Sequence, residues 1–223
     1  MELTQNQKEK ILSIVGIFET DSPSGDYGNV TSSKGDPGGL TYGVRQTTLN
    51  SGNLYSLIRE YVEQPLAKHK ELQNWLKPLR DQNQKLNKDK ALHEILRQAG
   101  EDPIMHQVQD EFFDRVYWQP AWRFANANGF TLPLSMAVIY DSYIHSGQVA
   151  AYLRRRFPDK VPVNGGNERA WVKAYVRTRR SWLAHHSIEI LQNTVYRMDA
   201  FQDLINANNW ELSSPFKIRG HTL

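Results

Sequence analysis

The sequence has no cysteine and no long apolar run. The absence of Cys among its 223 residues excludes disulfides, a thiol nucleophile and thiolate metal sites. No stretch approaches the 18 consecutive apolar residues of a membrane-spanning helix, and the polar opening MELTQNQKEK is not a secretion signal. We therefore expect a chain that is soluble in water, with any export signal absent from this sequence.

The composition favours a folded chain with a large core. The sequence is 39% hydrophobic and 11% aromatic, with six Trp, which excludes a disordered or fibrous chain. Its length fits one domain or two closely packed lobes. The net charge of +3 weakly favours anionic partners. The basic run RRRF at residues 154 to 157, however, is more typical of a solvated helix end than of a nucleic-acid site.

Helical periodicity dominates the chain. Thr4 and Gln7 have the spacing of a capping box, and the apolar residues that follow predict a helix from residue 5 to Glu19, ended by Asp21 and Pro23. Further helices are predicted over 108–122, 133–147, 170–183 and 188–205. Residues 30–44 predict a hairpin with the glycine-rich bend KGDPGG. The polar, lysine-rich stretch 63–107 has weak helical periodicity and is interpreted as a surface lobe or connection. The class is mainly α with one small β element.

The segment between residues 19 and 36 is acidic within a net positive chain. It contains four acids against the single base Lys34, a local balance of minus three: Glu19, Asp21, Asp26 and Asp36. Such a segment is often only a set of solvated turns. If it is a binding site, a cation or a neutral polymer suits it better than a phosphate backbone.

Two of these acids have the placement that glycoside hydrolysis needs. Glu19 ends an apolar helix, where the helix dipole disfavours its negative charge and apolar neighbours would desolvate it, so both effects favour its protonated form. Asp36 follows 17 residues later in the bend. Hydrolysis of a glycosidic bond uses one protonated carboxyl group as acid and one ionised carboxylate.

A third acid, Asp141, lies in the middle of the most hydrophobic predicted helix. An unpaired carboxylate there would be costly, so it requires partners, and Arg179 and Arg197 on the two late helices are the candidates. The three side chains form either a structural ion network or one that also adjusts the catalytic acid. The sequence leaves both interpretations open.

Several motifs together resemble the bacterial chitosanases of glycoside hydrolase family 46, in the lysozyme-like superfamily. They cover almost the whole chain: FE at the end of the first helix, GDPGGLTYG, IYDSYIHSG, AYVRTRR and YRMDAFQDLINANNWEL. The resemblance implies one catalytic domain over residues 1–223 with a mainly α (α+β), two-lobed, lysozyme-like helical fold. It also implies a small β-hairpin region beside a substrate cleft between the lobes.

The resemblance also implies roles for individual residues. Glu19 corresponds to the general acid, Asp36 to the general base and Thr41 to the residue that orients the attacking water. Asp141, Arg179 and Arg197 correspond to the charge network behind the acid. The implied reaction is internal hydrolysis of β-1,4 linkages between glucosamine units of chitosan, with inversion.

At the positions that the resemblance implies for substrate binding, this chain departs in part from the family pattern. Twelve residues after Thr41 the family often has an acid that holds a substrate amine, whereas this chain has Asn53, which accepts a hydrogen bond without a charge. Asp26 in SGDYG is the rival position for the base and a further candidate for binding substrate. Tyr27 and Tyr42 are candidate platforms for sugar rings.

We expect no metal or other cofactor, because the adjacent His185 and His186 lack a metal-binding spacing and no HExxH motif occurs. The expected partners are chitosan or glucosamine oligosaccharides, with no nucleic acid and no membrane, and the expected state is a monomer. By family resemblance we expect secretion. The alternatives are a muramidase that cleaves peptidoglycan and a non-catalytic binding domain for glycans or nucleic acid.

Overall fold

The computed structural model describes residues 1–33 and 35–223; Lys34, counted above in the acidic segment, lies outside the described residues. The chain divides into two compact units, one formed by residues 1–18 and 115–223 and the other by 19–114. Helices predominate over a small amount of antiparallel sheet. Across the described residues, no helix has both the length and the apolar character needed to span a membrane.

In chain order the α-helices are α1 (Gln5–Thr20), α2 (Asn53–Glu63), α3 (Leu76–Arg80), α4 (Lys90–Ala99), α5 (Pro103–Phe113), α6 (Gln119–Ala127), α7 (Pro133–Ser146), α8 (Ala151–Arg154), α9 (Glu168–Ala184), α10 (Glu189–Gln192) and α11 (Tyr196–Asn206). Short 3-10 helices occupy Lys70–Trp75, Gln84–Lys88 and Pro162–Asn164, and a π-helical turn, Asp114–Trp118, precedes α6. The strands are β1 (Val30–Thr31), β2 (Thr41–Tyr42), β3 (Thr47–Thr48), β4 (Lys217–Ile218) and β5 (His221–Thr222).

The first unit is built around α7. Residues 133–142 of this helix are all buried, as expected for a helix that is apolar on every side, and α7 packs against α6, α9 and α11. Pro133 occupies the first turn, where its missing N–H is not needed. Gly147 ends the helix with a left-handed φ of 73°, which glycine adopts without a steric penalty.

The second unit contains the three-stranded antiparallel sheet, in the order β1-β2-β3. In this sheet Thr41 of β2 lies opposite Thr31 on one side and Thr48 on the other. The loops around the sheet are tied to α5 by the fully buried Gln109. The Gln109 Oε1 accepts from the Val44 N–H at 2.9 Å, and its Nε2 donates to the Tyr27 carbonyl at 2.9 Å.

The helix predicted over 5–19 corresponds to α1, and those over 133–147 and 170–183 correspond to α7 and α9. One prediction is wrong: the single helix over 188–205 is divided into α10 and α11 by the turn at 193–195. The segment 63–107, predicted as a surface lobe or connection with weak helical periodicity, contains α3, α4 and the start of α5. That segment also supplies buried leucines, among them Leu72, Leu92 and Leu96.

Candidate active site

Glu19 lies in the last turn of α1, next to the buried Phe18. Its side chain is partly buried, and Asp21, two residues later, leaves the helical conformation with a positive φ of 56°. Phe18 packs edge-on against Phe201 and Tyr196 in the core of the first unit. The end of α1 is therefore fixed by aromatic packing immediately before the carboxylate.

Asp36 lies in the bend between β1 and β2. Its Oδ1 accepts a hydrogen bond from the Gly38 N–H at 2.7 Å, and its backbone carbonyl accepts from the Gly39 N–H at 3.1 Å. A side chain at Gly38 would put its Cβ 2.8 Å from the Thr48 Cγ2, so the bend requires glycine there. The partly buried carboxylate is thus held by its own turn.

The rival base, Asp26, has a different setting. Its side chain is exposed, and its Oδ1 accepts from the Gly28 N–H at 2.9 Å in another short turn. Asp36 is the more enclosed of the two. An enclosed carboxylate is better placed to hold one water against a substrate than a fully solvated one.

Thr41 is a buried residue in the middle of the sheet. Its hydroxyl donates to the Gln46 Oε1 at 2.6 Å and also contacts the hydroxyl of Thr31, its cross-strand partner. Only 5% of the residue is exposed. The Thr41 hydroxyl is therefore part of a hydrogen-bonded cluster that restricts its rotation.

Besides the exposed Asp26, the candidate substrate-binding residues Tyr42, Tyr27 and Asn53 differ in exposure. Tyr42 is completely buried, which counts against its predicted role as a sugar platform, and burial raises the pKa of its hydroxyl. Tyr27 is partly buried, and its ring stacks on that of His106 with 4.0 Å between the ring centres. Its hydroxyl donates to the Asp110 Oδ1 at 2.8 Å. Burial and the Asp110 carboxylate raise the pKa of Tyr27 to about 12. Asn53 is a partly buried residue at the start of α2.

In the first unit, Asp141 forms ion pairs with both predicted arginines. The Arg179 Nη1 lies 2.7 Å from the Asp141 Oδ2, and the Arg197 Nη2 lies 2.6 Å from the Oδ1. The Asp141 and Arg179 side chains are fully buried, and that of Arg197 is 2% exposed. Burial opposes ionisation of Asp141, but the two guanidinium groups outweigh it and hold the pKa of Asp141 below its usual range.

The network includes three residues that the sequence analysis did not assign to it. The Arg179 Nη1 also donates to the Ser142 Oγ at 2.9 Å, and the Tyr175 hydroxyl donates to the same atom at 3.0 Å. The Arg179 Nη2 lies 3.0 Å from the Nδ1 of His145. His145 is four residues after Asp141, and Tyr175 is four before Arg179. Residues with this spacing lie on the same face of a helix, so the sequence contained a signal that could have identified both as members of the network.

The histidine in this network is neutral. Partial burial, with the positive charges of Arg197 and Arg179, holds the pKa of His145 well below its usual value, although the Asp141 charge opposes the shift. Because a guanidinium can only donate, the Nδ1 of His145 is the acceptor and the ring proton lies on Nε2.

The network extends to the residue that precedes Glu19. The Arg197 guanidinium lies 5.0 Å from the centre of the Phe18 ring, and the Tyr196 hydroxyl donates to the Phe18 carbonyl at 2.7 Å. The buried charges thus contact the end of α1 through Phe18.

The candidate residues belong to different units. Glu19, Asp36, Thr41 and the four substrate-binding candidates are in residues 19–114, and the Asp141 network is in the other unit. No group of three or more His, Cys, Asp or Glu side chains within the described part of the chain is arranged to hold a metal ion.

Comparison with known proteins gives one family and a set of related structures. The profile of glycosyl hydrolase family 46 matches residues 13–216. A chitosanase of Bacillus subtilis (strain 168) is 23% identical over 235 residues, which cover 98% of this chain and 84% of the relative.

Two solved structures extend over nearly the full length of both chains. The native chitosanase of Bacillus subtilis MY002 matches with a TM-score of 0.87 at 21% identity, covering 100% of this chain and 99% of that one. The chitosanase of Gynuella sunshinyii, solved in complex with chitotetraose, also has a TM-score of 0.87, at 24% identity, covering 100% and 98%. The shared fold confirms the fold class predicted from the sequence.

Proposed function

This chain belongs to glycosyl hydrolase family 46, and on that premise we propose that it is a chitosanase that cleaves internal β-1,4 linkages between glucosamine units with inversion. The relatives named as chitosanases, one of them solved with chitotetraose, support the substrate class. The observation that carries the assignment is the pair of partly buried carboxylates, Glu19 at the end of an apolar helix and Asp36 held by the Gly38 N–H.

In the proposed reaction the two carboxyl groups have opposite tasks. Glu19 gives its proton to the glycosidic oxygen as the bond from that oxygen to the anomeric carbon breaks. A water molecule attacks the same carbon from the opposite face, and Asp36 takes one of its protons. Glu19 ends ionised and Asp36 protonated, and proton exchange with solvent restores both groups.

Charge supports a cationic substrate. The acidic segment carries Glu19, Asp21, Asp26 and Asp36 against Lys34, whereas the whole chain has a net charge of +3. Glucosamine units carry ammonium groups, which favour the acidic segment over the rest of the surface. The Asp141 network contributes by fixing the end of α1 through Phe18.

Product analysis on two polymers tests the substrate. The protein is incubated separately with soluble chitosan and with purified peptidoglycan, and the products are sized over time. We expect chitosan to lose chain length rapidly, with a range of oligomers as early products, because cleavage is internal. Release of fragments from peptidoglycan but not from chitosan would show that the protein is a muramidase. If both polymers stayed intact, the remaining interpretation would be a non-catalytic binding domain.

Variants test the roles of the carboxylates. Glu19→Gln keeps the shape but cannot give a proton, so turnover should fall by about 10²- to 10⁴-fold. Asp36→Asn should reduce turnover comparably, whereas the matched Asp26→Asn should retain it. If Asp26→Asn lost turnover and Asp36→Asn retained it, Asp26 would be the base instead.

The anomer of the first product tests inversion. Early NMR spectra of the wild-type reaction should show new reducing ends as the α-anomer, because an inverting reaction on a β-linkage gives that product. The β-anomer as first product would contradict attack by a water activated by Asp36.

A further inference from the structure

Gln46, in the turn between β2 and β3, contacts the hydroxyl of Thr41. The Thr41 Oγ1 lies 2.6 Å from the Gln46 Oε1, and the Thr31 Oγ1 lies 3.0 Å from the same oxygen. The two threonine hydroxyls also contact each other. Three side chains from β1, β2 and the following turn thus form one hydrogen-bonded cluster.

The orientation of the Gln46 amide is fixed from its other end. Its Nε2 donates to the Gly43 carbonyl at 3.1 Å, and its backbone N–H donates to the same carbonyl at 3.0 Å. The Nε2 must face Gly43 because a carbonyl can only accept, so the Oε1 must face the threonines. Gln46 also has a φ of 54°, a left-handed conformation that is uncommon for a residue other than glycine. The turn therefore presents the amide oxygen in one direction.

This orientation determines the direction of the Thr41 hydroxyl. A threonine hydroxyl has one proton to donate and two lone pairs to accept with, whereas an amide oxygen only accepts. The Thr41 Oγ1 lies closer to the Gln46 Oε1, at 2.6 Å, than the Thr31 Oγ1 does, at 3.0 Å, so we assign the Thr41 proton to Gln46 and the Thr31 proton to the Thr41 oxygen. One lone pair of the Thr41 hydroxyl then remains as an acceptor.

We propose that Gln46 is a positioning residue that makes the Thr41 hydroxyl an acceptor for one proton of the attacking water. The inference rests on the proposed function, in which Thr41 orients that water. One water proton then goes to Asp36 and the other points to Thr41, which leaves a lone pair of the water oxygen for the anomeric carbon. A Thr41 hydroxyl that donated instead would bind this lone pair and weaken the nucleophile.

The first test removes the acceptor. Gln46→Met keeps a side chain of similar length, and we expect kcat on chitosan to fall roughly 10- to 100-fold, as for a misdirected reacting group, with KM unchanged. The matched control is Thr47→Val, which removes a buried hydroxyl that donates to the Tyr42 carbonyl at 2.9 Å in the same sheet. The control should keep the wild-type kcat. Thermal melts of each variant separate a change in rate from a loss of folded protein.

The second test asks whether Gln46 acts through Thr41. Thr41→Val should lower kcat, and adding Gln46→Met to it should lower kcat no further, because there is then no hydroxyl to direct. Multiplicative losses in the double variant, or a wild-type kcat in Gln46→Met, would overturn the inference while leaving the chitosanase proposal intact. A wild-type protein without activity on chitosan would instead overturn the proposed function, and this inference with it.

The third test restores the acceptor. In Gln46→Glu the introduced carboxylate again accepts the Thr41 proton but cannot donate to the Gly43 carbonyl, so kcat at neutral pH should lie between those of Gln46→Met and the wild type. Equal kcat values for the Glu and Met variants at neutral pH would contradict the inference.

Discussion

At Asp141, one carboxylate is the shared ion-pair partner of two guanidinium groups that have almost no contact with solvent. Asp141→Asn would leave both positive charges buried without their counter-ion, so we expect it to lower the free energy of unfolding by about 3–5 kcal/mol. Asp199→Asn is the matched control, because Asp199 pairs with Arg180 at 2.5 Å but both side chains are 48% exposed. It should cost less than about 1 kcal/mol. Urea titrations of the wild type, Asp141→Asn and Asp199→Asn measure these free energies of unfolding. Equal losses in the two variants would show that the buried ion pairs of Asp141 stabilise the fold no more than an exposed pair does.

His145 gives a prediction for pH. Its folded pKa is lowered while the unfolded chain titrates near the ordinary value of about 6.5, so the unfolded state binds more protons as pH falls below about 6.5. Stability should therefore decrease with falling pH in that range, by at most about 1.4 kcal/mol per pH unit from this group. His145→Gln, which can still present an oxygen to Arg179, should reduce the slope. Parallel slopes for variant and wild type in pH-dependent denaturation would contradict this.

The site residues differ in how far the sequence could identify them. Asp141 was identifiable because a charge on an all-apolar helix needs partners, and Arg179 and Arg197 lie on two late amphipathic helices. Gln46 was not, because its role depends on a turn with positive φ and on the cross-strand pair Thr31 and Thr41. Tyr42 was misjudged because strand alternation in so short a sheet did not reveal that both faces are covered.

At the scale of elements, α5 contacts the loops of the second unit through several side chains, of which Gln109 is fully buried. Gln109→Leu would leave the Val44 N–H and the Tyr27 carbonyl without their partner, and each such group costs roughly 1–3 kcal/mol. We expect a loss of about 2–4 kcal/mol in unfolding free energy. Gln107→Leu on the same helix removes only an exposed contact with Glu111 and should change stability by less than about 0.5 kcal/mol. Similar effects in both variants would show that Gln109 does not anchor the loops.

The helices that sequence periodicity predicted best are those whose apolar residues all face one core. α1, α7 and α9 were predicted within a few residues because their burial patterns repeat over several turns. The region 188–205 was predicted as one helix because its apolar residues keep the helical spacing across the break. In the structure the chain turns at 193–195, where the Thr194 hydroxyl donates to the Leu191 carbonyl at 2.6 Å. Local hydrogen bonds of this kind compete with a continuing helix and leave little trace in apolar spacing.

At the scale of the whole molecule, two charge effects oppose each other for a polycation. The net charge of +3 repels a glucosamine polymer, whereas the segment 19–36 attracts it. Salt weakens both the long-range repulsion and the local attraction. The affinity therefore rises with salt if the repulsion dominates and falls with salt if the attraction dominates. The sign of the salt dependence therefore reports which effect controls binding.

We expect the acidic segment to control binding, so the affinity for a glucosamine hexamer should fall as salt rises. Calorimetry on Glu19→Gln, which keeps Asp21, Asp26 and Asp36, avoids hydrolysis during the titration. Between about 0.01 M and 1 M salt the screening length shrinks from roughly 30 Å to 3 Å, and three ion pairs worth at least about 0.2 kcal/mol each imply a loss of at least about threefold in affinity. A fully N-acetylated oligomer has no ammonium groups, so any binding it shows should not change with salt. Tighter binding of the glucosamine hexamer at high salt would mean that the net positive charge governs the encounter, and unchanged binding would remove charge as the basis of recognition.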